Sequence, residues 1–324
     1  MNQIEVKLIK FLGNSSFQKY LDIFPRGEQL PSFIATVKGL KAATDLWVRY
    51  QKWESFCKLV RYFGLFYYVD AYFVQDIETL NNLPKELFTT TKAVFGKHFE
   101  RDTEAHVFIA KSQKSLVKIT GAGWYPLVVN KKVIEKHLAD HYSFGKALGY
   151  PSCCLNFFQK YNNWYFYNNY YETYRNTINT PTYLSNGLLR LIAFSLIPHI
   201  PCSFHCLESI DYAQKLRLLI KEESQEYLCE IERHLQTPIL CLSELKIYRF
   251  EGRLLSKNTV LYHSVETIFP TLRNDSIYQM LIQGDICIIE GNIVRVYQDA
   301  YPVGVYFARG DRHAVEAPFL INFN

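Results

Sequence analysis

The sequence predicts an α+β protein: a helical N-terminal and central part with a small sheet, followed by a C-terminal antiparallel β-sheet. Three observations predict it. Apolar residues recur at helical spacing over 45–63, 131–148 and 206–236. Beyond Thr237-Pro238 the period changes to two. Glu290-Gly291-Asn292 lies between two apolar runs, a hairpin signal.

Taken in order, residues 1–100 read as mainly helical, with DLWVRYQKWESFCKLVRYF (45–63) as the clearest helix. The ring-rich run 65–74 follows as a buried strand. AHVFIA (105–110) opens another strand, 121–126 is a Gly/Pro turn, and 127–129 is a short strand. The helix pattern 131–148 stops at Gly149. A long amphipathic helix spans 206–236. The segments 239–242, 246–250, 259–263, 285–290, 293–298 and 303–308 alternate as strands. The expected organisation is a helical region 1–100, a cysteine-motif α/β core 101–236 and a β-rich region 237–324.

The 324 residues are 48% hydrophobic and 21% charged, ordinary for a chain that fills a core. A net charge of +5 is mildly basic and short of the stripe of a dedicated nucleic-acid binder. The densest cationic cluster, Lys131, Lys132 and Lys136, reads as a solvated face. Aromatic residues reach 16%, enough for a ring-rich core or a ring-lined cavity. The tract YNNWYFYNNYYETY (161–174) offers a base-stacking platform or a helix packed by its rings, and only Lys160 and Arg175 flank it. No secretory signal opens the sequence. The longest apolar run, 187–197, is broken by Arg190 and Ser195 and is too short to span a bilayer. A cytoplasmic protein with no membrane partner is expected.

Eight cysteines in such a chain argue against a disulfide framework. Cys57, Cys229, Cys241 and Cys287 are dispersed and read as buried, inert thiols. The other four form two pairs. Cys153 and Cys154 follow Gly149-Tyr150-Pro151, where Gly149 ends one helix and Pro151 suits the start of the next. Cys202 and Cys206 follow Pro198 and Pro201, with helical patterning from Ser203 onward. A separation of four would put those two sulfurs on one helix face. Unpaired N–H groups and the helix dipole favour thiolate at such starts. Two thiol-bearing helix starts suit one anionic centre, with Cys153, Cys154, Cys202 and Cys206 as its metal and cofactor ligands.

The identity of that centre has several readings. An iron–sulfur cluster, [4Fe–4S] in particular, is usually held by four cysteines. Zinc takes four Cys, or three plus His199 or His205. A metal-free redox dithiol set and four incidental thiols are the remaining readings. Adjacent helical side chains diverge by about 100°, and a multi-iron cluster tolerates that better than a single ion, which ranks iron–sulfur first. His199, His205 and Tyr150 flank the pairs and are the catalytic candidates. Glu208 and Asp211 read as dipole-compensating acids, and His137 with His141 lacks a third ligand. Arg309, Asp311, Arg312 and His313 could meet an anion or simply face solvent. No P-loop, dinucleotide fingerprint, GxSxG or HExxH is present.

GKALGYPSCCLNFF and PHIPCSFHCLES together resemble an uncharacterised prokaryotic domain family with a GYPxCC and PCxxxC pattern, over roughly 100–225. The resemblance implies that the cysteine pattern is a unit. Vicinal cysteines also occur in the iron–sulfur epoxyqueuosine reductases, a local likeness. The resulting expectation is an iron–sulfur-dependent metalloenzyme acting on a small molecule. The alternatives are a nucleic-acid-binding or tRNA-modifying protein with a structural zinc or cluster, and a noncatalytic binding module.

Overall fold

The computed structural model describes residues 23, 29–74, 94–95, 99, 101, 103–122, 127–129, 132–135, 141–161, 168–178, 180–190, 195–243, 246–267, 270–308, 310–311 and 314–324. Lys131, Lys136, His137, Arg309, Arg312, His313, the turn at 123–126 and residues 162–167 of the aromatic tract lie outside them. The chain forms two compact units. Of the described residues, one takes in 23–159 with 215–225, and the other takes in 160–214 and 226–324. The divisions after residues 159, 214 and 225 all fall inside continuous helices.

In the first unit, α1 (Gln29–Val37) leads to β1 (Ala43–Arg49), a 3-10 turn and α2 (Trp53–Tyr62). β2 (Phe66–Val74), β3 (Val94–Phe95) and β4 (Thr103–Ala110) complete an antiparallel sheet of order β1-β4-β2-β3. The single helix expected over 45–63 is therefore two elements. Asp45 to Arg49 pair with β4, and the helix begins only at Trp53. β4 is buried along its whole length, as a central strand covered on both faces should be. α3 (Gln113–Thr120) is capped by Ser112, whose hydroxyl accepts from Ser115 N–H. β5 (Leu127–Val129) and β6 (Lys132–Glu135) form a hairpin. They replace the first turns of the helix expected over 131–148, of which α4 (His141–Ala147) remains. α5 (Ser152–Tyr161) follows. Phe144, Ala147 and Leu148 pack with Phe108, Ala110 and Ile119 in one apolar cluster, against which Tyr150 rests.

This unit sets a charged row across three strands, with a half-buried Asp45, a buried His106 and an exposed Asp70. The His106 ring is fully buried. Its Nδ1 lies 3.0 Å from Asp70 Oδ2, and its Nε2 lies 3.5 Å from Asp45 Oδ2. Asp70 is the additional residue of a β-bulge between Val69 and Ala71, the device that re-aims a side chain within a ladder. Burial alone would lower the His106 pKa, but the hydrogen bonds to the two carboxylates outweigh it and leave the pKa raised. Burial would raise Asp45, and its bond to His106 reverses that and lowers it.

In the second unit, α6 (Asn169–Arg175) is followed by α7 (Leu207–Glu223), which crosses the division, and α8 (Gln225–Leu235). The long helix expected over 206–236 is thus interrupted at Ser224. Then come β7 (Ile239–Ser243), β8 (Lys246–Ser256), β9 (Thr259–Thr267), α9 (Ser276–Leu281), β10 (Ile286–Glu290), β11 (Ile293–Gln298) and β12 (Tyr301–Phe307). β13 (Gly310–Asp311) and β14 (Ala314–Val315) form a small hairpin, and β15 (Phe319–Ile321) closes the order. The sheet reads β12-β11-β10-β9-β8-β7-β15, an antiparallel meander with the last strand returned beside β7. Gly291 turns the β10–β11 hairpin with φ 63°, a conformation glycine adopts freely. One face buries Leu240, Phe250, Val260, Cys287, Val294 and Val296 against Ile277 and Leu281 of α9. Arg249 is buried within β8 and pairs with Glu266 at 2.6 Å. Burial and the Arg249 charge pull the pKa of neighbouring His234 down to about 4.

Candidate metal centre

The sequence GKALGYPSCC builds the first half of the centre by close packing. A Cβ on Gly145 would run into the end of the Leu155 side chain, so α4 and α5 keep their close approach with a larger residue only if Leu155 shifts. Gly149 has φ 79°, Tyr150 N–H donates to Gly145 O at 2.9 Å, and Gly149 N–H donates to Lys146 O at 3.2 Å. Those two bonds form a Schellman cap that ends α4. The Pro151 carbonyl accepts the first hydrogen bond of the next helix, from Leu155 N–H at 3.0 Å. Cys153 and Cys154 therefore stand in the first turn of α5, as the Gly149 and Pro151 signals predict. Cys154 is buried and Cys153 half-buried.

The second half is built differently from expectation. Residues 202–205 form bends and a turn, and helix α7 starts at Leu207. Cys206 caps it, since its carbonyl accepts from Ile210 N–H at 2.9 Å. Cys202 thus lies outside the helix, and the two do not share a helical face. What fixes this loop is the end of the aromatic tract. Thr173 Oγ1 donates to Pro201 O at 2.7 Å, and Asn176 Nδ2 donates to Cys202 O at 3.2 Å. Thr177 Oγ1 accepts from Phe204 N–H at 3.0 Å, and Ser185 Oγ donates to Phe204 O at 2.7 Å. Backbone groups that a helix would have paired are satisfied by these side chains.

The Sγ atoms of Cys153, Cys154, Cys202 and Cys206 all lie within 4.8 Å of one another. Among the described residues this is the group of His, Cys, Asp and Glu side chains placed to hold a metal ion. The convergence joins residues 48 positions apart, and a four-cysteine set could bind a metal. The Cys153 and Cys154 sulfurs are 3.9 Å apart.

The flanking candidates have definite places. His199 is buried, with Nε2 2.8 Å from Ser209 Oγ. His205 backbone N–H donates to Ser203 Oγ at 3.1 Å. Tyr150 packs against the Phe108 cluster, with Lys41 Nζ 5.3 Å from its ring centroid. His141 rests edge-on against Phe158 at 5.5 Å. Of the four dispersed cysteines, Cys241 and Cys287 are buried as expected, whereas Cys57 is half-buried and Cys229 exposed. Both lie on helices, α2 and α8, where one apolar stripe leaves the flanking positions in solvent. In the aromatic tract, Tyr170 is buried and donates to Gly187 O at 2.8 Å. Tyr174 stacks on Phe319 with centroids 4.5 Å apart. These two rings are held by contacts within the protein, whereas Trp164, Tyr165, Phe166 and Tyr167 of the tract lie outside the described residues. The signal that sequence reading missed is the polar set Thr173, Asn176 and Thr177, hidden within and just beyond a tract that draws attention for its rings.

Residues 103–236 match the profile of a family described as Protein of unknown function (DUF483). The match spans both cysteine pairs and accords with the resemblance to an uncharacterised domain family. Comparison with characterised proteins and with solved structures gave no match. Among the described residues, no helix is long and apolar enough to cross a membrane.

Proposed function

We propose that the protein is a metal-dependent scaffold whose four cysteines hold one zinc ion in a closed, structural tetrathiolate centre. The observation that carries this is the sulfur spacing. Tetrahedral Zn–S bonds of about 2.3 Å set sulfur–sulfur edges of about 3.8 Å. The vicinal pair at 3.9 Å fits such an edge, and the whole set stays within 4.8 Å. A cubane puts two Fe–S bonds and an iron–iron edge between any two of its cysteine sulfurs, which demands a wider set. The divergence of adjacent helical side chains was the ground for expecting [4Fe–4S]. That ground is weakened by a pair whose sulfurs already converge.

With all four positions filled by thiolate, no coordination site remains for substrate, which suits a structural role over Lewis-acid chemistry. The ion would close the loop 155–201 and hold the turn at 202–206, whose backbone makes no helix of its own. The His199, His205 and Tyr150 side chains would then shape the surroundings of the thiolates.

The test is anaerobic purification followed by metal analysis and an absorption spectrum. About one zinc per chain and no visible absorption is the expected result. A brown protein carrying about four irons would overturn it in favour of the iron–sulfur enzyme.

A further inference from the structure

Among the described residues of the first unit, the exposed aromatic residues are Tyr50, Tyr62, Phe66, Tyr67 and Tyr68, and two of them share a network of ring contacts. Tyr50, in the 3-10 turn after β1, is 45% exposed, and Tyr67 of β2 is 44% exposed. Both belong to a continuous ring system. Phe99 meets Tyr50 at 5.1 Å and Trp53 at 5.0 Å, and Trp53 meets Tyr67 at 5.9 Å, all edge-to-face. Trp53 and Phe99, themselves half-buried, brace the two tyrosines, so each presents a ring already fixed in place.

Cations surround these rings. Arg49 precedes Tyr50, and its side chain is 54% exposed. Gln51 Nε2 donates to Arg101 O at 2.7 Å, which sets exposed Arg101 beside the 3-10 turn. Exposed Arg61 stands in the last turn of α2, the helix that carries Trp53. The acids nearby are engaged: Glu54 pairs with Lys58 at 2.6 Å and Glu104 with Arg49 at 3.4 Å. Half-exposed rings held rigid and alternating with guanidinium groups are what a flexible polyanion with flat bases requires. An apolar protein partner would be poorly served by so many cations.

We infer that the surface formed by Tyr50, Tyr67, Arg61 and Arg101 binds single-stranded nucleic acid, with bases stacking on the two tyrosines and phosphates paired by the two arginines.

The test is fluorescence anisotropy of fluorescein-labelled U12 and dT12 with the full chain, at low and raised salt. Binding that weakens with salt is expected. Tyr50→Ala with Tyr67→Ala should weaken it roughly ten-fold or more, given the stacking contribution of each base. Arg61→Gln with Arg101→Gln should weaken it and flatten the salt dependence. Tyr301→Ala, a change at a 76%-exposed ring of β12, should leave it unchanged. If the alanine pair unfolds by circular dichroism, Tyr50→Leu with Tyr67→Leu keeps apolar contact without the ring and should show the same loss. No anisotropy change at low salt, equal binding by the ring variants, or tighter binding of a duplex of the same length would overturn the inference. A preference between U12 and dT12 assigns the strand to RNA or DNA within it.

Discussion

Cys153 Sγ lies 3.9 Å from Cys154 Sγ, although the two residues are neighbours in the first turn of a helix. In a regular turn their Cα–Cβ directions differ by about 100°. The sulfurs converge because each side chain has its own χ1 freedom at an end where no preceding turn crowds it. The pair can therefore act as two ligands of one ion, and from this follow tests of the site and its supports.

Cys154→Ser and Cys206→Ser should each abolish stable zinc binding. Structural zinc contributes about 10 kcal/mol or more to small zinc-folded peptides. Loss of even ~3 kcal/mol would lower the melting midpoint by roughly 6–12 °C in a domain of middling size. Cys229→Ser, at an exposed position of α8, should alter neither quantity. Colorimetric zinc release and scanning calorimetry measure both, and zinc retained by the two buried-site variants would refute the shared centre.

Thr173→Val keeps shape but removes the hydroxyl that donates to Pro201 O. That carbonyl precedes Cys202, so the ligand loses its support while the ligand set stays whole. Supporting groups of this kind are worth roughly ten-fold in metal affinity. Competition with a zinc chelator of known affinity should show that loss. An unchanged affinity would mean the loop is fixed without α6.

Gly145→Ala should destabilise by about 1–3 kcal/mol, the usual cost of overpacking. The added methyl meets the Leu155 side chain. Leu155→Ala opens the space, so the double variant should cost less than the sum of the single ones. Urea midpoints for the four proteins form the cycle, and strict additivity would exclude the contact.

The His106 cluster gives a pH dependence whose sign is set by the shifts. The folded pKa of His106 is raised. Its stabilisation is full below the unfolded value of about 6.5 and is lost as pH rises through the folded value. Asp45 is lowered, so its contribution holds above about 3.9 and is lost as pH falls through its folded value. Chemical stability should therefore decline above neutral pH in the wild type. His106→Gln should lack that alkaline decline even if it is less stable throughout. The same slope in both proteins would dissociate the decline from His106.

The C-terminal sheet was legible because an alternating strand with one solvated face writes its burial into the sequence. Val294 and Val296 are buried while Ile293 and Arg295, which alternate with them, are only partly so. Gly149 and Pro151 announced the helix boundary beside Cys153 because caps are local. The 45–63 run misled because its first residues sit in a sheet covered on both faces. Leu46, Trp47 and Val48 are all buried there, so no alternation distinguishes strand from helix. Ser203 to His205 misled for the opposite reason. Their helical pattern is real, but side chains from Thr173, Thr177 and Ser185 pair the neighbouring backbone first, and nothing near residue 203 records that. The grouping of the four thiols was readable as chemistry, whereas their spacing exists only in three dimensions.

Cys206 both offers a sulfur to the centre and, through its carbonyl, opens α7. A helix is slow to begin because its first turn fixes several torsions for a single hydrogen bond. An ion gripping Cys206 would fix part of that turn in advance, and the remaining residues to Glu223 would then add cheaply. The metal would act on this view as a kinetic seed: its arrival would time the appearance of the 17-residue helix α7 during folding, quite apart from how tightly it holds the finished protein.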